Sequence, residues 1–127
     1  MPYRLYWEGD VFHKPFTGIV TGAEFLQSAD KTHGSPQFDT LRYAINDFSG
    51  VSEFRFSPNT LEEWAAKTLG SSFTNRRLQT LFVTSDDSVK AAIGGIMRIA
   101  AGHYGVHVFP SLAAAKEWID ADRKKPG

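Results

Sequence analysis

The chain has 127 residues, 42% of them hydrophobic, with ten Phe, four Tyr and three Trp, enough for one domain spanning residues 1–127 around a substantial core. Lys+Arg and Asp+Glu both number 14, so the formal charge is zero, which argues against a nucleic-acid binder with a clustered positive face. The absence of cysteine excludes a disulfide scaffold, thiolate metal sites and a cysteine nucleophile, and fits a reducing, cytoplasmic compartment.

The N-terminal MPYRLYWEGD lacks the apolar run of a signal peptide. No stretch approaches the ~18 apolar residues of a membrane span. Tyr3 to Trp7 and Val11 to Thr17 read as an antiparallel hairpin around Glu8-Gly9-Asp10. Thr21 and Glu24 have capping-box spacing, with Val20 and Phe25 at the staple positions, so a helix should start near Gly22. It should end by His33-Gly34, because Ser35-Pro36 blocks continuation.

Leu41 to Ile45 is an apolar strand, and the polar residues Asn46-Asp47 and Ser49-Gly50 predict a turn after it. Phe54-Arg55-Phe56 reads as a separate short extended piece. Thr60, with Glu63 three residues on, predicts a capped helix carrying Leu61, Trp64, Ala65 and Leu69 on one face. Gly70 is a stop, unless the helix continues into Ser71-Ser72-Phe73.

Leu78 to Val83 reads as a buried strand. Thr84 to Ser88 supplies a turn and a cap. Val89, Ala92, Ile93, Ile96, Met97 and Ala100 then form an apolar helical stripe. Gly94-Gly95 inside it costs roughly 1 kcal/mol per glycine against alanine, for which close backbone approach to a neighbour is the expected compensation. Gly105 to Phe109 is the last strand, and Ser111 caps a last helix with Leu112, Ala115, Trp118 and Ile119 facing the core. The Arg123-Lys124-Lys125 run complements the negative end of that helix. Alternating strands and helices after the hairpin predict an α/β domain of about five mixed, mostly parallel strands and four helices.

The carboxyl end of a central strand is where α/β domains place ligands, which draws attention to Asp47. It could act as a general base or phospho-acceptor, with Thr84 at the end of another strand. A receiver-type site would also need an acidic cluster after the first strand and a lysine near Pro110, so Asp47 reads as a turn-tightening residue. His103 and His107 have a metal-compatible helical spacing, but Gly105 falls between them and His107 lies in a strand. No nucleophile elbow, phosphate loop or dinucleotide fingerprint occurs. Asp86-Asp87 occupies a helix start and repels anions. Arg55 and Arg76-Arg77 are solvated arginines, or contacts for an acidic partner.

Three segments carry a family resemblance: Phe16-Thr17-Gly18-Ile19-Val20-Thr21, the run from Arg42 to Val51, and Val106-His107-Val108-Phe109-Pro110-Ser111-Leu112 with Ala115 and Trp118. Together with the element order, they make the chain resemble the SpoIIAA-like family, small relatives of the STAS domain. The resemblance implies a non-catalytic regulatory or protein-interaction module. STAS domains of the anti-sigma-factor-antagonist kind switch partners when a serine at a helix start is phosphorylated. Asp47-Phe48-Ser49-Gly50-Val51 matches the first half of their pattern. In the second half Phe56 falls on the phosphorylated serine and Arg55 on the aspartate before it, with Pro58 replacing a glycine, so the switch is expected to be missing.

The resemblance points to an interaction surface of Asp47, Phe48, Ser49, Arg55, Phe56, Ser57 and Asn59 with the second helix. Phe48, Phe54 and Phe56 are its candidate anchors. The partner is an unidentified protein, with a homodimer as one option, and no cofactor, metal, nucleic acid or membrane span is expected. Two alternatives stand beside this reading. One is a carrier of a small apolar or lipidic ligand. The other, least supported, is a small enzyme using Asp47, Ser57 or a histidine.

Overall fold

The computed structural model describes residues 3–57, 59–100 and 104–125. Its elements are β1 (Tyr6–Glu8), β2 (Val11–Thr21), α1 (Gly22–His33), a 3-10 turn (Phe38–Thr40), β3 (Tyr43–Arg55), α2 (Thr60–Ser72), β4 (Gln79–Val83), α3 (Asp87–Ala100), β5 (Gly105–Phe109) and α4 (Leu112–Arg123). The strands form one sheet in sequence order. β1 and β2 pair antiparallel, and every later neighbour pair is parallel. This is the mixed α/β sheet that the order of elements predicts.

Each parallel step moves one strand further in the same direction. Right-handed crossovers therefore put α1, α2 and α3 on one face. Their buried residues Phe25, Trp64 and Ile93 share a core with Phe16, Phe48 and Phe82. α4 follows the last strand and covers the other face, where Ala115 and Ile119 pack with Tyr43, Ile45 and Leu81. Leu112 and Trp118 are half-buried at its border.

Local capping starts three of the helices. The Thr21 hydroxyl accepts the Glu24 N–H at 3.2 Å, and the Glu24 carboxylate accepts the Thr21 N–H at 3.0 Å. Val20 and Phe25, fully buried in one cluster, complete the staple. The Asp86 carboxylate accepts the Val89 N–H at 2.9 Å, and the Ser111 hydroxyl accepts the Ala114 N–H at 3.1 Å. α2 starts differently from its sequence expectation. Thr60 is already helical, and Asn59 precedes it without a side-chain cap. The Thr60 hydroxyl instead accepts the Ser57 N–H at 3.0 Å, while the Glu63 N–H goes to the Asn59 carbonyl. Thr60 is held there by α1: a Cβ at Gly22 would overlap its hydroxyl. The helix runs through Gly70 to Ser72.

The expected turn at Asn46-Asp47 does not form. β3 continues to Arg55 because β2 pairs with it along its whole length, from Val11↔Tyr43 to Thr21↔Arg55. β2 accordingly extends past Thr17 to Thr21, with Gly18 at φ 70°. Phe54 and Arg55 are the end of this strand and not a separate piece. The register shifts twice, so Phe48 and Ser49 oppose Phe16 alone, and Ser52 has no counterpart. These are β-bulges. The polar residues that read as a turn build the first of them: the Asp47 carboxylate accepts the N–H and hydroxyl of Ser49 at 2.9 and 2.6 Å.

Two smaller expectations also change. β1 is short, with a lone bridge from Tyr3 to Phe16 extending it. Among the described residues, Gly94 and Gly95 do not lie against a neighbouring backbone: a Cβ at either would meet the Arg98 guanidinium alone, at 4.0 and 3.8 Å. Ala92, one turn earlier on the expected core stripe, is exposed.

Candidate functional site

β4 stops at Val83, where its pairing with β3 ends at Asp47, and β3 projects beyond it. The space beside the projecting half is a groove of about 1300 Å³ at the carboxyl end of the sheet. One wall is β3 and the chain after it, through Ser49, Phe54, Phe56 and Ser57. The start of α2 contributes Leu61 and Glu62, and the loop after β4 contributes Thr84, Ser85 and Asp86. The opposite wall is α3, through Val89, Ala92, Gly95, Ile96 and Arg98.

An aromatic ladder leads from the core to this groove. Phe48 is buried, with ring centroids 5.1 Å from Phe16, 5.7 Å from Phe25 and 5.8 Å from Phe82. Phe54 stands edge-on to Phe48 at 5.2 Å, and Phe56 edge-on to Phe54 at 5.4 Å. Phe54 and Phe56 are half-buried and present apolar surface to the groove. The remaining lining mixes apolar Val51, Leu61, Val89 and Ile96 with the hydroxyls of Ser49, Ser52, Ser57, Ser85 and Ser88. Among charged side chains, Glu53, Glu62 and Asp86 line it with Arg98. Arg55 pairs with Glu53 from outside.

Phe48, Ser49, Phe56 and Ser57 of the expected surface therefore meet in one groove, with Phe48 as buried floor. Asp47, Arg55 and Asn59 lie beside it without lining it. The Ser57 hydroxyl lies 3.2 Å from that of Thr60. Sequence reasoning missed the α3 wall. Its signal was Gly94-Gly95, which marks an open helix face and not a close approach.

No described histidine lines the groove. His107 Nε2 lies 2.9 Å from the side-chain amide oxygen Oε1 of Gln79, and its ring centroid is 4.3 Å from that of Trp118. Burial holds its pKa down, opposed by Asp122. His103 lies outside the described residues. No group of three His, Asp or Glu among the described residues could hold a metal ion. No described helix is long and apolar enough to cross a membrane.

Deeper in the same face lies a buried polar layer. Lys14 and Asn46 are register partners on β2 and β3, both fully covered. Burial lowers the Lys14 pKa to about 7. His33 is lowered to about 4, by burial first and then by Lys14. Neither the amide nitrogen nor the oxygen of Asn46, nor the Thr68 hydroxyl, has a protein partner in the described structure.

No family model matches the chain, and no curated protein matches it. Among solved structures it is similar to the anti-sigma factor antagonist SpoIIAA in its unphosphorylated form. The TM-score is 0.66 at 10% sequence identity, over 97% of this chain and 99% of that one. A likeness at that identity speaks for the backbone alone. With the five-stranded mixed sheet and four helices described above, it shows that this chain has the SpoIIAA-like, STAS-type fold.

Proposed function

We propose that the protein is a non-catalytic regulatory or protein-interaction module of the SpoIIAA/STAS type. Its working surface is the groove between the projecting end of β3, the start of α2, and α3. The observation that carries this reading is the pairing of half-buried Phe54 and Phe56 with a hydroxyl-rich polar rim, in an open groove at the carboxyl end of the strands. Aromatic anchors inside a polar rim suit a protein partner, and this end of an α/β sheet is where such folds bind.

The competing readings fit this geometry less well. An enzyme would need Asp47, Ser57 and a histidine gathered in one cleft. Asp47 is instead bonded to Ser49, outside the lining. A lipid carrier would favour an apolar cavity with few polar groups, whereas serines and carboxylates border this groove. The serine phosphoswitch is absent in this reading. In the resemblance Phe56 falls on the switch position, and α2 begins on Asn59 and Thr60, with no side chain capping it. Incubation with cell lysate and ATP should leave Ser57 unlabelled in phosphosite mapping; consistent stoichiometric label there would overturn this part.

Photo-crosslinking tests the surface. A photoreactive residue replacing Ser57 should trap a protein partner, whereas one replacing Asp120, exposed on α4, should not. Equal capture at both positions, or none at Ser57, would contradict the reading.

A further inference from the structure

We propose that the groove receives an extended, basic segment of its protein partner, which adds to the free edge of β3 as an extra strand. This rests on the reading of the groove as a protein-interaction site and specifies the shape and charge of what enters. The argument starts from the ladders. β4 pairs with β3 only from Tyr43 to Asp47. β2 covers the other edge of β3 as far as Arg55. From Phe48 to Arg55, β3 therefore has a strand on one side only.

The backbone N–H and C=O groups of a strand point alternately to its two edges, so a one-sided strand presents a row of donors and acceptors. Here the stretch itself lines the groove, through Phe48, Ser49, Val51, Ser52, Glu53 and Phe54. Outside the ladders, the backbone bond this stretch makes among the described residues is the Ser49 N–H to the Asp47 carboxylate. At ~3.3 Å per residue, the uncovered stretch is about 25 Å long, room for a strand of ordinary length. Across from it α3 lines the groove with Val89, Ile96 and Arg98 and, as its smallest residues there, Ala92 and Gly95.

The lining says what that chain should carry. Phe54 and Phe56 offer apolar contacts to the side chains on one face of an added strand. Glu53 is occupied by Arg55, which leaves Glu62 and Asp86 against Arg98. The balance is negative and suits lysine or arginine on the incoming segment. The two bulges and the charged Glu53 and Arg55 are the devices that protect an edge from indiscriminate pairing. They leave the edge open to a partner that brings matching side chains.

The test selects short random peptides, displayed as a library, on the intact protein. Selected sequences should alternate apolar and polar residues and be enriched in Lys and Arg. Synthetic versions carrying one N-methylated amide each should lose affinity about tenfold or more at every second position and little between, because only alternate N–H groups reach β3. On the protein side, Ser52→Pro should weaken binding by about tenfold at an unchanged urea midpoint. If that variant fails to fold, the peptide scan still decides.

Sensitivity spaced every three or four residues would mean a helix in the groove and would overturn the proposal. So would acidic selected peptides, or none at all. Self-association by sedimentation that Ser52→Pro abolishes would assign the edge to a second copy of this chain, again overturning it. If photo-crosslinks at position 57 persist while the N-methyl scan shows no alternation, the strand pairing falls and the interaction module stands. If both fail, the module falls too.

Discussion

Gly22 and Gly95 both sit in helices, yet alanine should act in opposite directions at the two. A Cβ at Gly22 meets the Thr60 hydroxyl, which is held in place by the Ser57 N–H. Gly22→Ala should therefore cost about 1–3 kcal/mol by overpacking. A Cβ at Gly95 meets only the Arg98 guanidinium at ordinary contact distance. Gly95→Ala should stabilise α3 by up to ~1 kcal/mol. Urea unfolding of the two variants distinguishes them by sign, and a loss at Gly95 would show that it packs against something the structure does not place there. Phe25 lies within 5.4 to 6.3 Å, centroid to centroid, of Phe16, Phe48, Phe56, Trp64 and Phe82. Phe25→Ala should cost ~3–5 kcal/mol in the same measurement, and a cost below ~1 kcal/mol would mean that the cluster is not the centre of the core. The hydroxyls of Thr21 and Ser111 were legible as caps because a cap is a bond over three residues. Thr60 was not, because its partners include Gly22, far away in the chain.

At the scale of elements, β2 and β3 carry a polar layer through the middle of the sheet face. Lys14 titrates near 7 when folded and at its ordinary 10.5 when unfolded. Between those values the unfolded chain binds more protons, so raising the pH favours the folded state by up to ~1.4 kcal/mol per unit. Below about pH 7 the ammonium is charged in both states and this gain is absent. His33, lowered to about 4 by burial first and then by Lys14, stays neutral in the folded state across that window. The urea midpoint should rise from about pH 7 to about pH 9, and Lys14→Met should start higher and stay flatter. Parallel curves for the two proteins would refute the assignment. The same two strands explain what the sequence concealed. Tyr43 to Ile45 is visibly a strand because its side chains are apolar. From Asn46 onward β3 is mostly polar, with Phe48, Val51 and Phe54 spaced between polar residues and Gly50, so its extended state depends on pairing with β2, which no local pattern reveals.

For the molecule as a whole, the sheet order follows from strands and helices alternating in the sequence, and the likeness to SpoIIAA extends along nearly all of both chains. Half of the candidate groove was also legible. The stretch from Phe48 to Ser57 supplies one wall, and its aromatic and polar residues stood out against the strand before it. The α3 wall was hidden because one apolar stripe serves two surfaces: Ile93 points into the core, while Ala92 and Gly95 border the groove. Periodicity locates such a helix face but does not tell which part of it stays open. The central claim is that this groove is the working face. Hydrogen–deuterium exchange of the protein, alone and with the partner trapped from position 57, tests it most directly. The account predicts added protection in Phe48 to Arg55 and the groove-facing turns of α2 and α3, with α4 unchanged; protection centred on α4, or none along β3, would contradict it.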